Sequence, residues 1–177
     1  MNQETVKALI EASDDDVSFV EKVSEQIVLD KTNDLDELMR EIQDNIVNVQ
    51  SPDDTTIESY LLQLTNALYF LTARCEKFGF YDDISKANVK LKYNDEYTKN
   101  QISALSGGKK PTQADNQIAA EIGSVDEQAV NIIYSRSLKI IRGKIDAANE
   151  MLRTLSKILS VHMNTVNSTY FTRSKLE

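Results

Sequence analysis

Tryptophan is absent from this 177-residue chain, and proline (2), glycine (5), cysteine (1) and histidine (1) are scarce. A single cysteine excludes an internal disulfide, and one histidine beside it excludes most zinc sites. No window approaches the roughly 18 consecutive apolar residues that a spanning helix requires, so no membrane contact is expected. Met1-Asn2-Gln3-Glu4 opens into an acidic amphipathic stretch unlike a secretory signal, which points to the cytoplasm. No segment alternates apolar and polar residues with the period of a strand, so no sheet is expected. Hydrophobic residues make up 41% and charged residues 27%, enough for a folded domain and too polar for a membrane protein.

Charge is unevenly placed. Up to Glu58 the chain carries 4 Lys+Arg against 16 Asp+Glu, whereas from Ser59 onward it carries 16 against 12. The net charge of −8 therefore hides an acidic head and a mildly basic body. Such a head either serves solubility or covers a basic surface, in cis or on a neighbouring subunit, until a polyanion displaces it.

The few breakers punctuate helices. Ser51-Pro52 with Asp54 marks a helix start, and Ser106-Gly107-Gly108-Lys109-Lys110-Pro111 marks a loop. Thr112 with Asp115, and Ser124-Val125-Asp126-Glu127 after Gly123, read as capping boxes that open a short helix and a long one. In the last helix Tyr134, Leu138, Ile141, Ile145, Ala148, Leu152, Leu155, Leu159, His162 and Val166 follow a 4-3 alternation. Ile57, Leu61, Leu64, Leu68, Leu71, Cys75 and Phe78 repeat it earlier. A sustained 3.5-residue period predicts a left-handed coiled coil.

After Gly79 the pattern thins to Ile84, Leu91, Ile102 and Leu105, which suggests a kink or break there. The fold predicted is all-α: short acidic N-terminal helices over 1–50, then a long antiparallel hairpin over 51–168. The hairpin loop falls at 106–112 and a frayed tail at 169–177. Ser13-Asp14-Asp15-Asp16 caps a first helix using Val20, Val23 and Ile27, and Asp34 opens a second using Leu35, Leu38, Ile42, Ile46 and Val49. A second apolar row, Ile133, Ile140, Ala147, Met151 and Ile158, exceeds what one partner helix covers. It must meet the N-terminal helices or other copies, and Ile133, Ile140, Met151 and Ile158 are the candidate oligomer interface.

Reactive chemistry is sparse. His162 and Cys75 lie on the seams, where a packed polar residue and a buried thiol are expected. Asp14, Asp15 and Asp16 point round a helix and cannot converge on a metal. Asp30, Thr32, Asp34, Asp36 and Glu41 fall at calcium-loop offsets, but Leu35 stands where the turn requires Gly. Gly107-Gly108-Lys109-Lys110 lacks the first Gly and the Ser/Thr of a phosphate-binding loop. Asn167-Ser168-Thr169 is a sequon without a secretory route. The reading is a protein that is no enzyme, with no cofactor, metal or small-molecule substrate.

A basic, tyrosine-bearing stretch remains: Lys86, Lys90, Lys92, Tyr93, Tyr97 and Lys99. Cations tracking a phosphate backbone beside stacking rings suit single-stranded nucleic acid, although Asp82, Asp83, Asp95 and Glu96 lie among them. Arg136, Lys139, Arg142, Lys144, Arg153 and Lys157 form a second basic group, and Lys109 and Lys110 sit at the hairpin tip.

The segment Ala87-Asn88-Val89-Lys90-Leu91-Lys92-Tyr93-Asn94-Asp95-Glu96-Tyr97 resembles the basic, tyrosine-bearing region of the UvsY-type recombination mediators of tailed bacteriophages. A polar loop and a last helix patterned from Tyr134 to Leu159 follow in the same order, so the resemblance runs roughly from Ile57 to His162. It implies a small helical protein that assembles into rings, binds single-stranded DNA and loads a recombinase onto strands covered by single-strand-binding protein. Lys90 and Lys92 are the positions it carries over as DNA-contacting. The residues before Ser51 lie outside it. The other reading is a structural or protein-binding helical module, such as a virion component or an inhibitor, with no nucleic-acid role.

Overall fold

Four α-helices account for nearly all of the described chain. The structure is a computed structural model that describes residues 16–49, 52–107 and 111–173. Helix α1 spans Asp16–Ile42 and ends in a π-helical turn, Gln43–Val47; α2 spans Asp54–Ser106, α3 Gln113–Gly123 and α4 Val125–Arg173. No strand occurs among the described residues, and the long helices pack on one another, as the heptad pattern predicts. The Ser13–Asp15 cap, Ser51, Lys109, Lys110 and the last four residues of the expected tail lie outside the described residues.

Three local expectations change. Asp34 opens no second helix, because α1 continues through it. Thr32 donates to Asp36 at 3.0 Å and Asn33 to Glu37 at 2.9 Å, so the side chains that compete with a helical backbone are occupied along the helix itself. The start of α2 is set by Asp53, whose Oδ2 accepts from the Thr56 amide at 3.2 Å and hydroxyl at 3.3 Å. An anionic cap suits the positive end of the helix dipole. Finally, α2 passes Gly79 without a break.

Contacts divide the chain into two units. The first comprises the described residues of Met1–Asp30 and Cys75–Ile140. Its buried core joins Val23, Ile27 and Val28 of α1, Cys75 and Phe78 of α2, Ala120 of α3, and Val130, Ile133, Tyr134 and Leu138 of α4. Phe78 and Ser85 of α2 meet Tyr134 and Asn131 of α4 in reverse order, so the two helices run antiparallel here. Ser137 donates to the Ser24 carbonyl at 3.4 Å, and Arg136 lies 3.1 Å from Glu21, which fixes α1 on α4.

The second unit comprises Lys31–Arg74 with the described part of Ile141–Glu177. Leu35, Ile42 and Ile46 pack with Ile57, Leu64, Leu68 and Leu71, and with Ile141, Ala148 and Leu155. Leu64 and Leu155 are fully buried, and truncating either to alanine costs about 2–5 kcal/mol. Asn45 donates to the Tyr60 hydroxyl at 2.8 Å, Lys144 pairs with Asp36, and His162 Nδ1 lies 2.9 Å from Asp54. The seam histidine is thus a paired polar residue at the first turn of α2.

Candidate nucleic-acid interface

The basic stretch lies on α2 within the first unit, and its placement follows from what the seam does after Phe78. The 4-3 alternation does not drift at Gly79; it turns polar. Asp82 (4% exposed) and Ser85 (1%) are buried, and Val89, Lys92, Glu96 and Asn100 continue the same face half-buried. Leu91, Ile102 and Leu105, expected to carry the packing stripe, are 67%, 60% and 58% exposed. Apolarity and burial exchange sides along this part of the helix.

A hydrogen-bonded node sustains the polar seam. Asp82 Oδ1 accepts from the Ser135 hydroxyl at 2.5 Å and from Asn131 Nδ2 at 3.5 Å. Asn131 Nδ2 also donates to Ser85 Oγ at 2.9 Å, and Ser85 donates to the Asp82 carbonyl at 2.7 Å. Lys86 Nζ lies 2.5 Å from Asp82 Oδ2, which completes the carboxylate's partners. A buried carboxylate requires such partners, since an unpaired charge costs several kcal/mol. Further along, Asn100 donates to the buried Asn116 at 2.8 Å, which ties α3 to α2.

The Thr112–Asp115 capping box at the start of α3 forms as expected. The Ser124 hydroxyl donates to the Glu121 carbonyl at 3.2 Å and accepts from Gln128 at 2.9 Å, so it links α3 to α4. A Cβ at Gly123 would stand 2.6 Å from Glu96 Cγ, so any other residue at this corner would force the Glu96 side chain to shift.

The six candidate residues do not share one face. At about 100° per residue, Lys86, Lys90, Tyr93 and Tyr97 lie on one flank, while Lys92 is on the seam itself and Lys99 at its other edge. Lys92 lies 3.0 Å from Glu96, Lys99 lies 2.6 Å from Asp95 and 3.1 Å from Glu96, and Lys86 also approaches Asp83 at 3.9 Å. Hydrogen bonds from Lys92 and then Lys99 hold the Glu96 carboxyl below its usual pKa, and those to Asp95 and then Glu96 raise that of Lys99. From Asp82 to Lys99 four lysines meet four carboxylates, so the stretch has no net formal charge. Lys90 alone of the four is exposed without an ion pair among the described residues.

Other candidates fall as follows. Arg136, Lys144 and Arg153 are paired with Glu21, Asp36 and Glu150, the first two being acidic residues of α1. Lys139, Arg142 and Lys157 are exposed. Of the candidate oligomer residues, Ile133 is fully buried within the chain and leaves no surface for a second copy. Ile140, Met151 and Ile158 are half-buried. The calcium-like offsets lie within α1, and no group of three metal-ligating side chains converges among the described residues. No described helix is long and apolar enough to cross a membrane. A groove of ≈ 170 Å³ in the second unit, between Leu35 and Phe70, falls below the roughly 300–1,000 Å³ of sites that enclose small molecules.

Sequence reasoning missed Asp82, Ser85, Asn131 and Ser135 as a set. The available signal was their spacing: 82 and 85 continue the 4-3 count from Phe78. No protein-family model matches the chain, and comparison with curated proteins and with solved structures finds no match.

Proposed function

We propose that this protein is a non-enzymatic helical interaction module. The observation that supports this reading is the exchange of sides on α2: polar residues occupy its buried seam while Phe80, Leu91, Ile102 and Leu105 face outward. Large apolar side chains repeated along one outer face offer anchor points for association. Three of the four lysines that would attract phosphate, Lys86, Lys92 and Lys99, are meanwhile paired with Asp82, Asp83, Asp95 and Glu96. The test is titration of the full chain against labelled single-stranded DNA at low salt, paired with capture from native lysate with and without nuclease. Binding partners that survive nuclease, with no salt-dependent DNA binding, support the module.

A second reading, favoured by Lys90, is a phage-type recombination mediator. Lys90 is exposed and shares its flank with half-exposed Tyr93 and Tyr97, a cation beside two stacking rings. Such a protein would bind single-stranded DNA as a homo-oligomer and contact a recombinase or single-strand-binding protein. Its affinity would fall with salt by a slope of about −0.7 per phosphate contacted, and Lys90→Ala would flatten that slope.

A further inference from the structure

We infer that the outer face of α2 between Phe80 and Leu105 docks a second copy of this chain, antiparallel about a two-fold axis at Leu91. The inference rests on the reading of that face as an interaction surface and names its occupant. Phe80, Leu91 and Ile102 recur every eleven residues and are 63%, 67% and 60% exposed. Eleven residues make about three turns with a drift near 20°, so these three and Leu105 stay within about 40° of one line. The face lies opposite the Asp82–Ser85–Glu96 seam, and Phe80, Leu91, Ile102 and Leu105 stay exposed among the described residues.

Three features select a copy of the chain as occupant. The first is symmetry of spacing. An antiparallel two-fold at Leu91 sets Leu91 on its own copy and Phe80 opposite Ile102 of the partner, because the intervals on either side are equal. An isologous contact requires this self-complementarity, and it closes at two copies.

The second is charge. The chain carries −8 overall, yet the charges that border this face are two lysines, Lys90 and Lys99, and two carboxylates, Asp83 and Asp95. Two copies approach through this strip without the mutual repulsion that their acidic segments would impose, and a strip without net charge offers a strongly basic or acidic partner no attraction.

The third is area. From Phe80 to Leu105 the helix rises about 38 Å, and at a diameter of about 10–12 Å the strip projects on the order of 400 Å². Over two partners that is on the order of 800 Å² in total, the size of a weak, concentration-dependent contact between copies rather than a permanent one.

Sedimentation of the full chain across a micromolar series, joined to thiol cross-linking with a short bismaleimide, tests the arrangement. The chain should sediment as a dimer, and Leu91→Asp should weaken it by about a hundredfold or more, since each copy loses its central apolar contact. Leu91 is exposed in the single chain, so unchanged circular dichroism in that variant verifies that the fold is retained. Leu91→Cys should cross-link to itself. Phe80→Cys and Ile102→Cys should each fail alone and cross-link when mixed, because the two Phe80 positions of a dimer lie about 33 Å apart. Native Cys75 is buried and serves as the unreactive background.

A monomer at high micromolar concentration overturns the dimer. So does self-cross-linking of Phe80→Cys, which signals a parallel pair. Dissociation by Ile140→Asp with Ile158→Asp but not by Leu91→Asp overturns it in favour of an α4 interface. Tight, salt-dependent DNA binding unaffected by Leu91→Asp would instead overturn the interaction-module reading, so the two failures are distinguishable.

Discussion

Replacing Asp82 separates what the polar seam contributes to stability from what an apolar side chain would contribute there. Asp82→Ala removes a carboxylate that accepts from Ser135 at 2.5 Å and pairs with Lys86 at 2.5 Å. The charge-assisted bond to Ser135 is worth about 1.5–3 kcal/mol. The pair with Lys86, half of whose side chain is exposed, adds only about 0–1 kcal/mol. The expected loss is therefore about 2–4 kcal/mol, whereas Lys86→Ala should cost only about 0–1 kcal/mol. At about 2–4 °C per kcal/mol for a chain of this size, Asp82→Ala should lower Tm by roughly 4–16 °C.

Asp82→Leu is the informative partner, because it extends the apolar alternation of Leu71, Cys75 and Phe78 by one position. Burying the leucine contributes about 1.5–3 kcal/mol, which offsets the lost polar contacts and leaves the variant near wild type or above it. Urea and thermal unfolding of the three proteins, followed by circular dichroism, provide the measurement. If Asp82→Leu is destabilised as much as Asp82→Ala, the node is a net source of stability that an apolar side chain cannot replace.

Other outcomes follow from single contacts. Tyr134 is fully buried and its hydroxyl finds no hydrogen-bond partner among the described residues, so Tyr134→Phe should gain about 1 kcal/mol in urea unfolding at pH 7. Burial, and then the nearby Tyr81, raise the Tyr134 pKa, so the folded chain holds a proton that the unfolded chain releases. Stability should fall as pH rises above about 10, and Tyr134→Phe should reduce that slope. At the acid end, hydrogen bonds from the Thr112 hydroxyl and then its amide depress the Asp115 pKa. That contribution is present above the unfolded value of about 3.9 and lost as pH falls through the lower folded one, so Thr112→Ala should flatten the acid limb of a stability–pH curve. Gly123→Ala should cost about 1–3 kcal/mol because its Cβ meets Glu96 Cγ at 2.6 Å, and Glu96→Ala in the same chain should restore most of it in thermal unfolding.

The first half of α2 was legible because its seam is apolar. Ile57, Leu64, Leu68, Leu71, Cys75 and Phe78 are all buried where the 4-3 count puts them. The second half was not, because a search for apolar periodicity follows hydrophobicity, and burial here follows hydrogen bonding. Leu91 and Ile102 carried the expected chemistry on the outer side, while Asp82 and Ser85 carried the inner one. Ile133 was misassigned for a related reason. A row of isoleucines states that something covers it, and only its burial in the fold says that at Ile133 the chain itself does so.

The lysine stretch shows where spacing alone stops short of function. Intervals of four and seven correctly placed Lys86 with Lys90 and Lys92 with Lys99, yet the first pair lies on one flank and the second on the seam and its other edge. The same helical period that aligns cations also brings Asp82 to Lys86, Asp95 to Lys99 and Lys92 to Glu96 as i, i+4 pairs. Those pairs stabilise a helix by a few tenths of a kcal/mol each at its surface, and they occupy the charges a phosphate would need. A polyanion must therefore compete with Asp95 and Glu96 for Lys99, whereas at Lys90 no carboxylate has to be displaced. The apolar outer face faces no such competition. The helix segment whose paired lysines offer phosphate little is also the one whose neutrality permits two copies to meet across its outer face, so the feature that weakens the DNA reading strengthens the association reading.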